Sequence, residues 1–403
     1  MAVSRREFIT SATATAIAGR VVTGTVSAKP TTKGRIVLVY DDGPVTDYTK
    51  AFPVHKEEGV PASIGVVSKW VGTDGSESMS RAATADELSE MESFGFEIMS
   101  HTRDHTSLTS FPLAADIEPD DTRAYPKGPH ASHPFHPGYE VEIYDGNKSV
   151  TRKIVGSGRN DDDDRYMVLD EPVGTTFDAD TARERLTPKT MRYLLHDSKR
   201  TLESYGFEVD NLLAPFDQFS GYAERFTEEF YTGVANAVDS DGINSRGQID
   251  PYGIRRDYFI EYTDWETISG ELDTIAETNA LGVFGAHTQR EEVTPEKIRR
   301  MIRAAKRRGI EIVTLRQALA DAGFGPETAT TTTTTTTTTN ETTTTETATG
   351  NGTATSTGTG TVVADSTESS GGENLLDRYG PVGAVGCVGA GLGALWWRQN
   401  DAE

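Results

Sequence analysis

The chain has 403 residues, with 62 acidic against 39 basic side chains and a formal net charge of −23, which excludes binding to nucleic acid through neutralised phosphates. Its one cysteine, Cys387, excludes both a disulfide framework and a cysteine-based zinc site within one chain. Acidic residues recur along the body, from Asp116 to Asp121 and from Asp161 to Asp164, so they read as a solvated surface of the kind that keeps a protein soluble at high salt.

The N-terminal residues 1–28 read as an export signal. Ser4-Arg5-Arg6-Glu7-Phe8-Ile9 sets paired arginines before bulky apolar residues, small residues continue to Gly19, and Val26-Ser27-Ala28 suits cleavage. This order resembles a twin-arginine signal more than a basic amphipathic first helix, and would place the rest of the chain, from near Lys29, outside the cell.

Residues 29–325 alternate strands and helices. Arg35 to Tyr40 is a run rich in β-branched residues, ended by the turn Asp41-Asp42-Gly43-Pro44. A helix over Ala51 to Glu58, a strand over Ser63 to Val67, a helix capped by Thr84 and closed at Gly95, and a strand over Phe96 to Ser100 follow. The alternation resumes with a helix from Pro188 to Tyr205, a strand from Val209 to Ala214 and a helix from Gly221 to Tyr231. It ends with a strand from Leu281 to Ala286, a helix opened by Thr294-Pro295-Glu296, a strand from Ile310 to Val313 and a helix from Leu315 to Ala322. Repeated βα units predict an α/β fold, a parallel sheet or (β/α) barrel with its active site at the C-terminal ends of the strands. Between them, residues 112–186 change to period-two alternation, at Tyr139 to Tyr144, Ser149 to Val155 and Arg165 to Leu169, which predicts a β-rich insertion beside the site.

Residues 326–373 contain ten consecutive threonines, Thr330 to Thr339, and lack the apolar surface to offset chain entropy, so they are expected to form an extended, glycosylated stalk. Asn147, Asn340 and Asn351 each begin an N-glycosylation sequon. Residues 374–403 carry an uncharged run from Gly380 to Trp397, about the length of a bilayer core at ~1.5 Å per residue, and predict a C-terminal membrane anchor.

Chemistry concentrates at three predicted strand ends. Asp41 and Asp42 follow one strand, His101 and His105 another, and His287 a third, which would bring acids and imidazoles to one rim. A histidine pair at i, i+4 with one carboxylate fills three positions of a zinc shell and leaves room for water and substrate, as in a catalytic site. Each feature alone has a plainer reading: adjacent aspartates before glycine are ordinary turn chemistry, and a strand-terminal histidine is often only a satisfied polar residue. The segment Pro129-His130-Ala131-Ser132-His133-Pro134-Phe135-His136 also has metal-like spacing, but its prolines forbid the helix that would align the rings, so it reads as a solvated loop.

With those residues in view, the chain resembles the polysaccharide deacetylases of the NodB-homology type, carbohydrate esterase family 4, over about residues 34–111 and 187–322. Val39-Tyr40-Asp41-Asp42-Gly43 stands where the family has Thr-Phe-Asp-Asp-Gly, and His101-Thr102-Arg103-Asp104-His105 matches its His-Ser/Thr-x-x-His. Asp264-Trp265 resembles a fourth motif and Gly282 to His287 a fifth, while the C-terminal tail resembles those of archaeal surface proteins. The resemblance implies a distorted (β/α) barrel holding a divalent metal, usually Zn2+ with Co2+, Mn2+ or Ni2+ as alternatives, through Asp42, His101 and His105. Asp41 would be the general base and His287 the general acid, Asp264 would orient His287, Trp265 would line the acetyl pocket, and Phe216 would offer its amide to the oxyanion. The third motif departs from the family's Arg-x-Pro-Tyr: Leu213-Ala214-Pro215-Phe216-Asp217 has no arginine to pair with the base, unless another cation such as Arg103 replaces it. The implied activity is removal of acetyl groups from an N- or O-acetylated polysaccharide at the cell surface. The alternative is a carbohydrate-binding surface protein on the same fold with impaired catalysis, favoured by the missing arginine and disfavoured by the intact Asp42, His101 and His105.

Overall fold

The computed structural model describes residues 33–325 except 77, 78, 162 and 240. The expected signal at 1–28, stalk at 326–373 and anchor at 374–403 lie outside the described residues. Among the described residues no helix is long and apolar enough to cross a membrane.

In chain order the strands are β1 (Arg35–Tyr40), β2 (Ser63–Val66), β3 (Glu97–Ser100), β4 (Phe111–Pro112), β5 (Arg123–Ala124), β6 (Glu140–Tyr144), β7 (Ser149–Arg159) and β8 (Arg165–Leu169). They continue as β9 (Arg183–Leu186), β10 (Asn211–Leu213), β11 (Gly233–Ala235), β12 (Val238–Asp239), β13 (Ile243–Asn244), β14 (Arg255–Tyr258), β15 (Leu281–Ala286) and β16 (Glu311–Val313). The helices are α1 (Phe52–Glu58), α2 (Ala85–Phe94), α3 (Pro188–Ser204), α4 (Gly221–Thr227), α5 (Trp265–Thr278), α6 (Pro295–Arg307) and α7 (Leu315–Asp321). Their starts follow local chemistry. Thr84 and Glu87 form a capping box on α2, Thr314 and Gln317 another on α7, and α3 and α6 open with a capping threonine followed by proline.

The main sheet runs β11-β10-β3-β2-β1-β15-β14-β12, with β16 also on β1 and β13 on β15. All its pairings are parallel except that of β13 with β15. The two ends of that order, β11 and β12, are consecutive in the chain, joined by Asn236 and Ala237, with Asn236 at φ 61°. This join closes the sheet into a distorted barrel, and the inner packing agrees. Val37 and Val39 of β1 meet Met99, Leu213, Ala235, Ile254 and Val283 in one cluster, floored by Leu315 and Leu319 of α7. Their neighbours Ile36, Leu38 and Tyr40 face the opposite way, into the core under the helices. Burial on both faces is why β1 is an unbroken apolar run, as parallel strands covered on both sides require.

The period-two segment forms a second, antiparallel sheet, β4-β9-β6-β7-β8-β5, as the alternation predicts. Strands β11 to β14 have no counterpart in the sequence reading, because each is two to four residues long and β14 reads Arg-Arg-Asp-Tyr. The helix predicted to Tyr231 ends at Thr227, and the strand predicted from Val209 starts at Asn211.

Candidate metal and catalytic centre

The C-terminal ends of β1, β3, β10 and β15 carry Asp41 and Asp42, His101 to His105, Pro215 to Asp217, and His287. A parallel sheet delivers such residues to one edge whatever their separation in sequence. Asp42, His101 and His105 each offer one donor atom, and these atoms lie within 4.8 Å of one another. Asp42 Oδ1 sits 3.4 Å from His101 Nε2 and 3.2 Å from His105 Nε2. That oxygen is buried without a hydrogen-bond partner, while Oδ2 accepts from Gln289 Nε2 at 2.9 Å. His101 Nδ1–H donates to the Leu213 carbonyl at 2.8 Å, so its Nε2 carries the lone pair. A buried orphan oxygen and two imidazoles on one point fit a divalent cation with one carboxylate and two nitrogen ligands.

Backbone conformation makes this convergence possible. Asp42, Thr102 and His105 lie at φ 74°, 60° and 58°, in the left-handed region that non-glycine residues rarely occupy. Electrostatics match a metal site. Burial raises the Asp42 pKa, but His105, His101 and His287 outweigh it and hold the carboxyl well below the usual range. Burial pushes His105 down to about 4, with Asp42 opposing, which leaves a neutral ring for coordination near neutral pH.

Beside the triad stand two further pairs. Arg256, on β14, donates through Nη1 to Asp41 Oδ1 at 2.6 Å and Oδ2 at 2.9 Å, and through Nη2 to Asp217 Oδ1 at 2.7 Å. Its side chain is 1% exposed, and it crosses Gly285 of β15, where an added Cβ would lie 2.3 Å from Nη1. Gly285 is therefore what lets a guanidinium reach Asp41 through the sheet. Tyr258 closes the network, accepting from Arg256 and donating to Asp217 Oδ2 at 2.8 Å.

The second pair is His287 with Glu261. The Glu261 carboxylate, fully buried, accepts from His287 Nδ1 at 2.9 Å and from the His287 backbone N–H. Nε2 then faces Asp41 Oδ2 at 3.8 Å, and the ring stacks on Tyr258 at 5.7 Å between centroids. Burial opposes charge on His287, but Asp41, the Glu261 hydrogen bond and Asp42 outweigh it and raise the pKa to about 9.

Several expectations are corrected. Asp264 does not orient His287: it is exposed and caps α5, its Oδ1 accepting from the Glu266 and Thr267 amides at 2.8 and 3.0 Å. The cap commits Trp265 to the first turn of α5 in the helical layer, where Arg300 of α6 lies 3.8 Å over its ring, so it does not line an acetyl pocket. Trp70, 5.5 Å from the His105 ring, is the tryptophan at the site among the described residues. Nor does Arg103 replace the missing arginine, since it pairs with Asp197 at 2.9 Å and Asp104 at 3.1 Å. Phe216, at φ 59°, packs 4.2 Å from the His105 ring. Sequence reasoning missed Arg256, Glu261 and Gln289. The available signal was two arginines and an aspartate between the apolar Ile254 and Phe259, where a covered strand should be apolar.

Comparison with known proteins agrees with the first motifs. A profile of the polysaccharide deacetylase family matches residues 28–124. A Bacillus subtilis (strain 168) protein named as a polysaccharide deacetylase, YxkH, is 33% identical over 84 residues, 21% of this chain and 28% of that protein. The match thus spans less than a third of that relative's length. Similar solved structures include a T48 deacetylase with substrate, 14% identical, covering 73% of this chain and 95% of that one with a TM-score of 0.38. A family 4 acetyl xylan esterase from Clostridium thermocellum with a cobalt ion is 15% identical, covering 71% and 90% at 0.37. The peptidoglycan deacetylase PdaC from Bacillus subtilis is 13% identical, covering 72% and 92% at 0.39.

Proposed function

We propose that this protein is a metal-dependent hydrolase that removes acetyl groups from an N- or O-acetylated polysaccharide. The observation that carries the reading is the three-donor site flanked by an Asp41–Arg256 pair and a His287–Glu261 pair. Asp42 Oδ1, His101 Nε2 and His105 Nε2 would hold the metal, which when bound polarises the acetyl carbonyl and makes water more acidic. The donor set of two imidazoles and one carboxylate favours Zn2+, with Co2+, Mn2+ or Ni2+ as alternatives.

The chain's own groups divide the proton work. Asp41, held by Arg256, accepts the proton of the attacking water on its carboxylate. His287 is protonated at neutral pH, since its pKa is raised to about 9, and gives a proton from Nε2 to the departing amine or alcohol. Glu261 on Nδ1 fixes which nitrogen faces the reaction. The Phe216 amide supplies a donor for the oxyanion. Arg256 pairs with Asp41 as the motif arginine would, which counts against a catalytically impaired carbohydrate-binding protein.

The paired arginines at Arg5 and Arg6, the threonine stalk and the tryptophan-ended tail support export by the twin-arginine route and anchoring at the cell surface. The test uses the full chain in high salt: bound metal by elemental analysis, then acetate release from acetylated chitooligosaccharides and xylan, with His101→Ala as control. One equivalent of metal with acetate release that the variant loses is expected. Failure to bind metal under any loading condition refutes the hydrolase reading and leaves the carbohydrate-binding alternative.

A further inference from the structure

The histidine segment of the insertion is not a solvated loop, and its three rings go to three different places. His130 stacks on Phe216 at 5.2 Å, His136 Nε2 meets Thr106 Oγ1 at 3.1 Å, and His133 is completely buried. All three destinations lie at the metal site or on the loop that follows His101. That loop needs holding, because Thr102 and His105 both sit in left-handed backbone.

Ser107, two residues past His105, is gripped on every polar atom. Its N–H donates to Ser132 Oγ at 2.8 Å, its hydroxyl donates to the His130 carbonyl at 2.7 Å, and its carbonyl accepts from His133 Nε2 at 3.0 Å. The other ring nitrogen, Nδ1, faces both oxygens of Glu184 on β9 at 2.9 Å. With Glu184 ionised neither partner can donate, so both nitrogens of His133 then carry hydrogen. A second set of contacts lies beside it: Asp104 accepts from Thr106 Oγ1 at 2.6 Å and from Tyr139 OH at 2.7 Å.

We propose that this segment is a clasp by which the insertion positions the metal-ligating loop, with the buried His133–Glu184 pair as its anchor, so that metal affinity depends on the insertion. The proposal rests on the metal site read above but not on the deacetylase reaction. His133, Glu184 and Ser132 are positioning residues that touch no ligand atom. They act through Ser107, one step further out than the groups that bond a ligand directly, for which changes of ~10–100-fold in metal affinity are typical.

The test measures Zn2+ affinity of the full chain by competition with a chromophoric chelator, and hydrogen exchange across residues 101–107 in the metal-free protein. Glu184→Gln keeps the shape but removes the charge, and Ser132→Ala removes one bond to the loop and carries the test if the first variant fails to fold. Val141→Ala, in the insertion core on β6, is the control for destabilisation alone. Glu184→Gln and Ser132→Ala are expected to weaken zinc by about tenfold or more and to speed exchange across the loop, while Val141→Ala leaves zinc affinity within about twofold. Zinc affinities of both clasp variants within about twofold of the unsubstituted chain, or an equal loss in Val141→Ala, overturn the proposal. Absence of zinc binding by the unsubstituted chain refutes the metal site itself. Absence of acetate release with normal zinc binding refutes only the deacetylase reading.

Discussion

Replacing Arg256 by methionine removes a guanidinium that is 1% exposed and leaves behind the carboxylates of Asp41, 4% exposed, and Asp217, 12% exposed. Three charge-assisted hydrogen bonds of 2.6 to 2.9 Å are lost together. The cost is set less by those bonds than by the unpaired charge that stays buried, and breaking such a pair from one side costs ~3–5 kcal/mol. Against a total stability of ~5–15 kcal/mol, that is a large shift. Arg256→Lys should cost less but not be silent, because an ammonium cannot span two carboxylates as a guanidinium does. Urea unfolding of the full chain at pH 7 with saturating zinc measures this. The cycle with Asp217→Asn should show a coupling of ~1–3 kcal/mol, since the second change relieves one stranded charge. A loss below about 1 kcal/mol for Arg256→Met, the range of exposed pairs, would refute Arg256 as the buried partner of Asp41, and an additive cycle would refute its pairing with Asp217.

His55 is fully buried, Tyr40 OH donates to its Nε2 at 2.8 Å and its Nδ1–H donates to the Val60 carbonyl at 3.1 Å, and burial lowers its pKa from 6.5 to about 4. The unfolded chain therefore takes up a proton first as pH falls, so stability present above about pH 6.5 is lost between there and about pH 4, by ~3 kcal/mol. Urea midpoints at pH 7 and pH 4 should differ less in His55→Gln than in the parent, and an unchanged difference would count against it. Glu261→Gln removes an anion that keeps His287 protonated up to about pH 9, so the basic limb of the pH–rate profile should move toward lower pH by about one unit or more. An unmoved limb would show that His287 is not the acid. Gln289→Leu frees the second oxygen of Asp42 and should weaken zinc by ~10–100-fold in chelator competition, with no change indicating that Asp42 needs no such restraint.

The sequence by itself determined the parts whose signal is local. A covered parallel strand must be apolar on both faces, so Arg35 to Tyr40 and Leu281 to Ala286 were legible, and the residues ending them followed. His101 and His105 were legible as metal ligands only in company with the Asp41-Asp42 turn and the strand-terminal His287, and the switch to period two marked the insertion. Only the tertiary structure decided what those residues touch. Arg256 lies 215 positions from Asp41, and their meeting depends on β14 lying next but one to β1 and on Gly285 between them having no side chain. Asp264 misled because an aspartate before tryptophan reads the same whether it caps a helix or supports a histidine. Glu261, three residues earlier, holds His287, since only its carboxylate is carried back to the end of β15. The histidine segment was misread for the same reason: prolines exclude a helix, but nothing local shows that Glu184 and Ser107 will be its neighbours. Partners distant in sequence are selected by strand order and burial, and neither is written in the spacing of the residues themselves.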